Sequence, residues 1–283
     1  MQKIIAKKSL GQNFLNSSRI LDKIIETAGL KKEDVVLEVG PGEGTLTEKL
    51  LEKSDRVIAV EKDDRLIYFL KEKFTEEIKE GKLTLIRKDI LDLDIKTELS
   101  NNTTPNSQNL PRKLVSQYKV VANIPYYITG KLIRKFLSSD FQPSQMVLMV
   151  QKEVANRIVG EKDAKKPKEN ILSLSIKVYG EPKYIKTVSA KHFSPQPKVD
   201  SAILLINNIS KTFFEKIDEE KFFNLIHLAF SSKRKVLINN LSTILPKNDL
   251  IQILELLNIP VKTRAEDLSM ENWKNLYKSL YKI

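Results

Sequence analysis

The sequence predicts an α/β chain: a domain of alternating strands and helices on a mostly parallel sheet over residues 1–207, then a small all-helical domain over 208–283. Three observations carry this. Short apolar runs recur at 35–39, 56–60, 83–88, 118–122 and 146–150, and most lead into stretches with helical spacing. A glycine-rich turn, Gly40-Pro41-Gly42-Glu43-Gly44, separates the first of these strands from its helix. Composition shifts near Asn207 to Ser210, and beyond Asp218 only the helical period remains.

The opening segment, Lys7-Lys8-Ser9-Leu10-Gly11-Gln12-Asn13-Phe14-Leu15, is too polar and glycine-broken for a core element. It reads either as an arm over a ligand or as a terminus laid on the surface. Asn16 or Ser17 caps a helix whose stripe is Ile20, Leu21, Ile24, Ile25 and Ala28, stopped by Gly29. The strand 35–39 then runs through the glycine turn into a helix with Leu46, Leu50 and Leu51 inward. Strand, glycine turn and helix mark a Rossmann-like first unit, with G-x-G-x-G in place of the dinucleotide spacing. The next strand ends at Glu61, placed to accept bonds from two ribose hydroxyls, so a nucleoside-containing cofactor is expected.

Asp63-Asp64 cap a helix with Leu66, Ile67, Leu70 and Phe74 inward, and the strand 83–88 ends at Asp89-Ile90. Asp89 either accepts an adenine amine, with Ile90 packed on the ring, or caps the next turn. Residues 96–117 are polar and Asn-rich and read as a long surface loop, a lid or an insertion. Beyond a strand at 146–150 and a helix through Val154, Ala155, Ile158 and Val159 lies a Lys-rich loop at 162–169. A helix at 170–179 and strands at 183–189 and 202–206 follow, the last after His192-Phe193-Ser194-Pro195-Gln196-Pro197-Lys198. Phe193 either meets a base or anchors this extended loop. Four helical stripes finish the chain, with Trp273, Leu276, Tyr277 and Leu280 on the last; Lys233-Arg234-Lys235 reads as a phosphate contact or a solvated charge run.

Composition narrows the function classes. The 283 residues include no cysteine, which excludes disulfides, thiolate metal sites and a cysteine nucleophile. His192 and His227 are far apart and show no metal-ligand spacing, so no metal is expected. The first residues lack the apolar region of a signal peptide and no run is long enough to span a bilayer, which fits a cytoplasmic protein without a membrane partner. A net charge of +12 fits a polyanionic partner or a merely soluble surface.

The segment around which the chain is organised is Asn123-Ile124-Pro125-Tyr126, at the carboxyl end of the strand 118–122. The Asn oxygen and a neighbouring carbonyl can both accept from an exocyclic NH2, and the Tyr ring can stack on the base that carries it. Pro125 fixes φ and biases Ile124 toward an extended conformation, so the acceptors are held beforehand; the plainer reading is a strand followed by a proline turn, and it is the other motifs that favour a site.

Taken together, these segments resemble the ribosomal RNA adenine dimethyltransferase family, closest to its KsgA-type members that act on small-subunit rRNA. The residues that carry the resemblance are Ser9 to Leu15, Glu38 to Gly44, Glu61, Asp89, Asn123 to Tyr126, Phe193 to Ser201, and Ala229-Phe230-Ser231 with Lys233-Arg234-Lys235 through Asn239-Asn240-Leu241. The resemblance implies a Rossmann-like class I methyltransferase sheet of seven strands, the last antiparallel, and S-adenosylmethionine as cofactor. It implies that Asn13 and Leu15 close over the cofactor, that Gly40 and Gly42 lie against it, and that Glu61 holds its ribose and Asp89 with Ile90 its adenine. Asn123 would sit between methyl donor and target amine, with Pro125 and Tyr126 completing the catalytic turn. Tyr126 and Phe193 would flank the target adenine, and Lys233 and Arg234 would contact 16S rRNA. The expected activity is N6,N6-dimethylation of two adjacent adenosines near the 3′ end of that RNA by a monomer, with a checkpoint role in small-subunit biogenesis. The alternatives are a large-subunit enzyme conferring antibiotic resistance and a non-catalytic RNA-binding assembly factor; the glycine spacing disfavours a nicotinamide dehydrogenase.

Overall fold

Strands with both faces covered read as unbroken apolar runs, and those runs become the centre of the sheet. The computed structural model describes residues 5–101, 117–160, 168–232 and 234–281. Its strands are β1 (Phe14–Leu15), β2 (Val35–Val39), β3 (Arg56–Glu61), β4 (Leu83–Arg87), β5 (Lys119–Asn123), β6 (Gln145–Gln151), β7 (Glu181–Val188), β8 (Phe193–Ser194) and β9 (Ser201–Asn207). The helices are α1 (Ser18–Ala28), α2 (Thr45–Leu51), α3 (Asp64–Lys73), α4 (Thr75–Lys79), α5 (Ile95–Asn101), α6 (Thr129–Ser138), α7 (Lys152–Val159), α8 (Ile171–Lys177), α9 (Glu219–Ala229), α10 (Leu237–Leu241), α11 (Lys247–Leu256) and α12 (Met270–Tyr281).

Seven strands form one sheet in the order β4-β3-β2-β5-β6-β9-β7. Pairing is parallel from β4 through β6, while β9 runs antiparallel to both β6 and β7. The expected sheet, antiparallel in its last strand, is therefore present. Strand β2 is central: Val39 pairs with Val60 on one side and with Ala122 on the other. Chain order reverses at β2, so the loops leaving β2 and β5 part there and open a crevice at the carboxyl ends. Glu61 and Asn123 each close a strand beside that crevice.

Contacts divide the chain into two compact units, residues 1–155 with 181–209 and residues 156–180 with 210–283. The second break falls beside the expected boundary at 207/208, but residues 156–180 group with the C-terminal helices and not with the sheet. Within that unit, Phe230 stacks near Trp273 at 6.0 Å between ring centroids, and the buried Asn240 donates to the carbonyls of Ala229 (2.6 Å) and Ser232 (3.2 Å). Those bonds tie the end of α9 and the turn after it to α10, which gives Asn240 a structural task.

Three local expectations change. Residues 95–101 form α5 with Leu99 buried, so the supposed loop begins in a helix; residues 102–116 and 161–167 lie outside the described residues, and with them most of both long loops. A short α4 follows α3 where no separate helix was expected. The opening segment also contributes to the core: Leu15 is 3% exposed, and β1 pairs antiparallel with β8, Leu15 opposite Phe193.

Gly44 makes the turn into α2 possible. Its φ is +78°, and a Cβ there would lie 2.5 Å from Phe74 Cε2. Gly44→Ala is expected to cost about 1–3 kcal/mol of stability through strain and overpacking, read from the midpoint of denaturant unfolding.

Candidate active site

The crevice at the ends of β2, β3, β4 and β5 is a cavity lined by residues from five chain segments, among them Asn13, Gly40, Gly42, Glu61, Asp89, Ile90, Asn123, Pro125 and Tyr126. Nine of the residues expected at the site thus converge. The glycine turn forms the floor. Gly40 N–H donates to Val60 O at 2.9 Å, which ties the turn to β3. Gly42 has φ +58°, and a Cβ there would come within 2.9 Å of the Phe14 ring, so the turn and the N-terminal arm meet over a side chain that is absent.

Glu61 is buried, and its Oε1 accepts from the backbone N–H of Lys62 and Asp63, both at 2.8 Å. Burial raises its carboxyl above the ordinary value, against the backbone N–H groups of Asp63, Lys62 and Gly42. Asp89 realises the capping reading: Oδ1 takes Leu91 N–H at 2.9 Å, and Oδ2 takes the Lys62 ammonium at 2.7 Å. Burial alone would raise the Asp89 carboxyl; the bonds to Lys62 and Leu91 outweigh it and hold it low.

Asn123 is oriented from the arm. Its Nδ2 donates to the Asn13 carbonyl at 3.1 Å, and the Asn13 side chain in turn donates to Gly11 O at 3.1 Å. A backbone carbonyl only accepts, so the amide nitrogen must face the arm and the Oδ1 acceptor must face away from it. Tyr126 shares a 2.7 Å hydrogen bond with Ser201, a buried residue of β9, which fixes the direction of the ring. Burial pushes its phenol up, so it stays protonated. Pro125 O accepts from Ile128 N–H at 3.2 Å and closes the turn.

Beside Asn123 lies a recess lined by Phe14, Leu15, Gly40, Gly42 and Glu38, among others. Sequence reading counts Glu38 in the resemblance but gives it no role of its own, because it sits inside an apolar strand run. It is 1% exposed; Oε2 accepts from Thr47 Oγ1 at 2.7 Å, and Oε1 has no partner. Burial pushes this carboxyl up to about 8, the Thr47 bond opposing. An orphaned acidic oxygen calls for a cationic or donor group. The residues lining the cavity and the recess therefore fit S-adenosylmethionine.

Four expected residues fall elsewhere. Leu15 lines the smaller recess and not the main cavity. Phe193 is 5% exposed and packed in the core that also holds Leu15, so in this structure it anchors β8 and does not face the cavity. Pairing with β1 turns its ring inward, a long-range contact that the local prolines do not announce. Arg234 is an exposed residue of the second unit, between α9 and α10, and Lys233 lies outside the described residues. Among the described residues no cluster of three or more His, Cys, Asp or Glu could hold a metal, and no helix is long and apolar enough to cross a membrane.

The family model for ribosomal RNA adenine dimethylase matches residues 4–282. The chain is 44% identical to a ribosomal RNA small subunit methyltransferase A of Dehalococcoides mccartyi, over 96% of this chain and 87% of that one. It is 37% identical to the protein of the same name in Clostridium acetobutylicum, over 97% and 94%. The crystal structure of a dimethyladenosine transferase from Plasmodium falciparum superposes with a TM-score of 0.73 at 28% identity, over 95% of this chain and 98% of that one. A 23S rRNA methyltransferase, ErmE, has the same fold, with a TM-score of 0.73 at 24% identity over 95% and 100%.

Glu38 gives a pH signature. Its folded-state value of about 8 stands above the unfolded 4.5, so between them the folded chain keeps a proton that the unfolded chain has lost. The associated stability is complete below pH 4.5 and disappears as pH rises toward 8. Thermal unfolding of the cofactor-free protein should show Glu38→Gln gaining on the parent by a few kcal/mol, as an order of magnitude, across that window.

Proposed function

The chain belongs to the ribosomal RNA adenine dimethylase family, and on that premise we propose that it dimethylates the N6 amines of two adjacent adenosines near the 3′ end of small-subunit 16S rRNA. It acts as a cytoplasmic monomer, with an additional role as a checkpoint in small-subunit assembly. The single observation that carries the reading is the Asn123 amide, whose nitrogen is engaged by Asn13 O, on a residue that lines the cavity fitting the cofactor.

When bound, S-adenosylmethionine supplies a methyl group made electrophilic by the sulfonium sulfur. Asn123 Oδ1 accepts one N6 hydrogen, and the carbonyl of Ile124 or Pro125 accepts the other. Two acceptors in these positions draw the amine toward a tetrahedral shape and free its lone pair from the ring. Tyr126, braced by Ser201, holds the face of the target base, worth about 1–3 kcal/mol by stacking. The base must be unstacked to enter. The bound cofactor would supply the methyl group and its sulfur would keep the carbon–sulfur electron pair, while the N6 proton would be lost to water. The work is alignment of three atoms, not activation by a base. Asn13 and Leu15 close the cofactor end, Gly40 and Gly42 form its floor, Glu61 takes the ribose, and Asp89 with Ile90 the adenine. Phe193 supports the target side from within the core, and Lys233 and Arg234 meet RNA phosphates.

The two relatives named for the small subunit favour this substrate over 23S rRNA. Labelled S-adenosylmethionine, unmethylated small subunits and large subunits in parallel reactions test it. Dimethyladenosine from the small subunit alone is expected, with Asn123→Ala lowering kcat about a hundredfold or more. Label in the large subunit would refute the substrate assignment, and tight subunit binding without label would leave only an assembly factor.

A further inference from the structure

Asp63 carries more partners than a helix cap requires. It caps α3 through Arg65 N–H at 3.2 Å, and the Arg65 guanidinium adds bonds at 3.1 Å to Oδ1 and 2.7 Å to Oδ2. The N-terminal arm supplies the rest: Lys7 Nζ lies 3.3 Å from Oδ1, and Gln12 Nε2 donates to Oδ2 at 3.1 Å. Gln12 also folds the arm on itself, accepting Lys7 N–H at 2.7 Å, and Arg65 donates to Ile5 O at 3.1 Å. The Asp63 side chain is 0% exposed, so its charge is held by these groups and not by water.

The arm is thus fixed at two places. Asp63 holds Lys7 and Gln12, and the β1–β8 ladder holds Phe14 and Leu15. The residue between these moorings, Asn13, is the one whose carbonyl meets Asn123. We propose that Asp63 is a positioning residue for methyl transfer: it moors the arm so that Asn13 O selects the Asn123 rotamer with Oδ1 toward the target amine. The inference rests on the role given to Asn123 above. Turned over, the amide would present N–H donors to an amine that needs acceptors, so the mooring bears on the chemical step and not only on cofactor retention. Before Phe14 the arm is mostly polar, with Leu10 its one apolar residue at the cavity, and the buried carboxylate adds a polar hold through Lys7 and Gln12.

The test uses the full chain with Asp63→Asn, which keeps a residue able to cap α3 but removes the charge that Lys7 and Arg65 face. Asp64→Asn, in a neighbouring acid paired with Arg87 at the surface, is the control. At saturating S-adenosylmethionine and with small subunits as substrate, Asp63→Asn should lower kcat about tenfold to a hundredfold, with the KM for the subunit unchanged and Asp64→Asn at parent activity. A rise in the KM for S-adenosylmethionine with kcat intact would overturn the positioning role and leave a cover for the cofactor. A second readout needs no turnover: the Asn123 side-chain amide signal in a 15N-labelled, cofactor-free sample, assigned by its loss in Asn123→Ala. That signal should move toward solvent-exposed shifts in Asp63→Asn and stay in place in Asp64→Asn; no movement in Asp63→Asn would sink the proposal. Should the parent transfer no methyl group at all, the functional reading fails, and the amide signal still decides the mooring.

Discussion

Parallel pairing of β2 with β3 on one side and β5 on the other is the constraint on which the rest of the first unit depends. It brings three strand ends into one register, so that the residues one step beyond Val39, Val60 and Ala122 face a common space. Those residues are Gly40, Glu61 and Asn123. A shift of one residue in either pairing would turn every side chain of that strand to the opposite face and scatter the three groups. The strands are apolar on both faces, so hydrophobic patterning alone does not fix this register; the Gly40 N–H bond to Val60 O at 2.9 Å ties the end of β2 to β3 in it and so helps set where Gly40, Glu61 and Asn123 lie.

Upon that frame the chain places polar groups where burial makes their partners decisive. Glu38 lies within an otherwise apolar strand and has one oxygen satisfied by Thr47 and one left over, a cost that the free protein carries. Asn123 is the opposite case: one end of its amide is committed to a backbone carbonyl, and the commitment gives the other end its direction. Both act by preorganisation, which suits a reaction whose electrophile is already activated and whose barrier lies in alignment.

The strands, the glycine turn and Glu61 were legible in the sequence because each depends on local pattern: apolar runs, positive-φ positions and the step from turn to acid. The place of Asn123 and Tyr126 at a strand end was legible, but the tetrapeptide alone reads more readily as a strand followed by a proline turn, and only the accompanying motifs pointed to a site. What escaped depends on contacts distant in sequence. The β1–β8 ladder joins residues about 180 positions apart through strands of two residues each, too short for any period, and it decides that Phe193 is an anchor facing the core. Asp63 read as an ordinary cap because its partners on the arm lie 51 and 56 positions away. Residues 156–180 hold a Lys-rich loop and a helix, neither of which says which unit they join, so their grouping with the C-terminal helices shows only in packing.

The central claim is that the amide of Asn123 meets the target nitrogen as an acceptor at the methyl donor. The most direct measurement is a crystal structure with a bisubstrate compound in which the N6 of adenosine is tethered to the cofactor's amino-acid and nucleoside parts. The account predicts the bridging nitrogen within hydrogen-bonding distance of Asn123 Oδ1 and of the Ile124 or Pro125 carbonyl, the adenine on the Tyr126 ring, and the cofactor ribose on Glu61. A bridging nitrogen remote from Asn123, or an amide turned to face it with Nδ2, would contradict it.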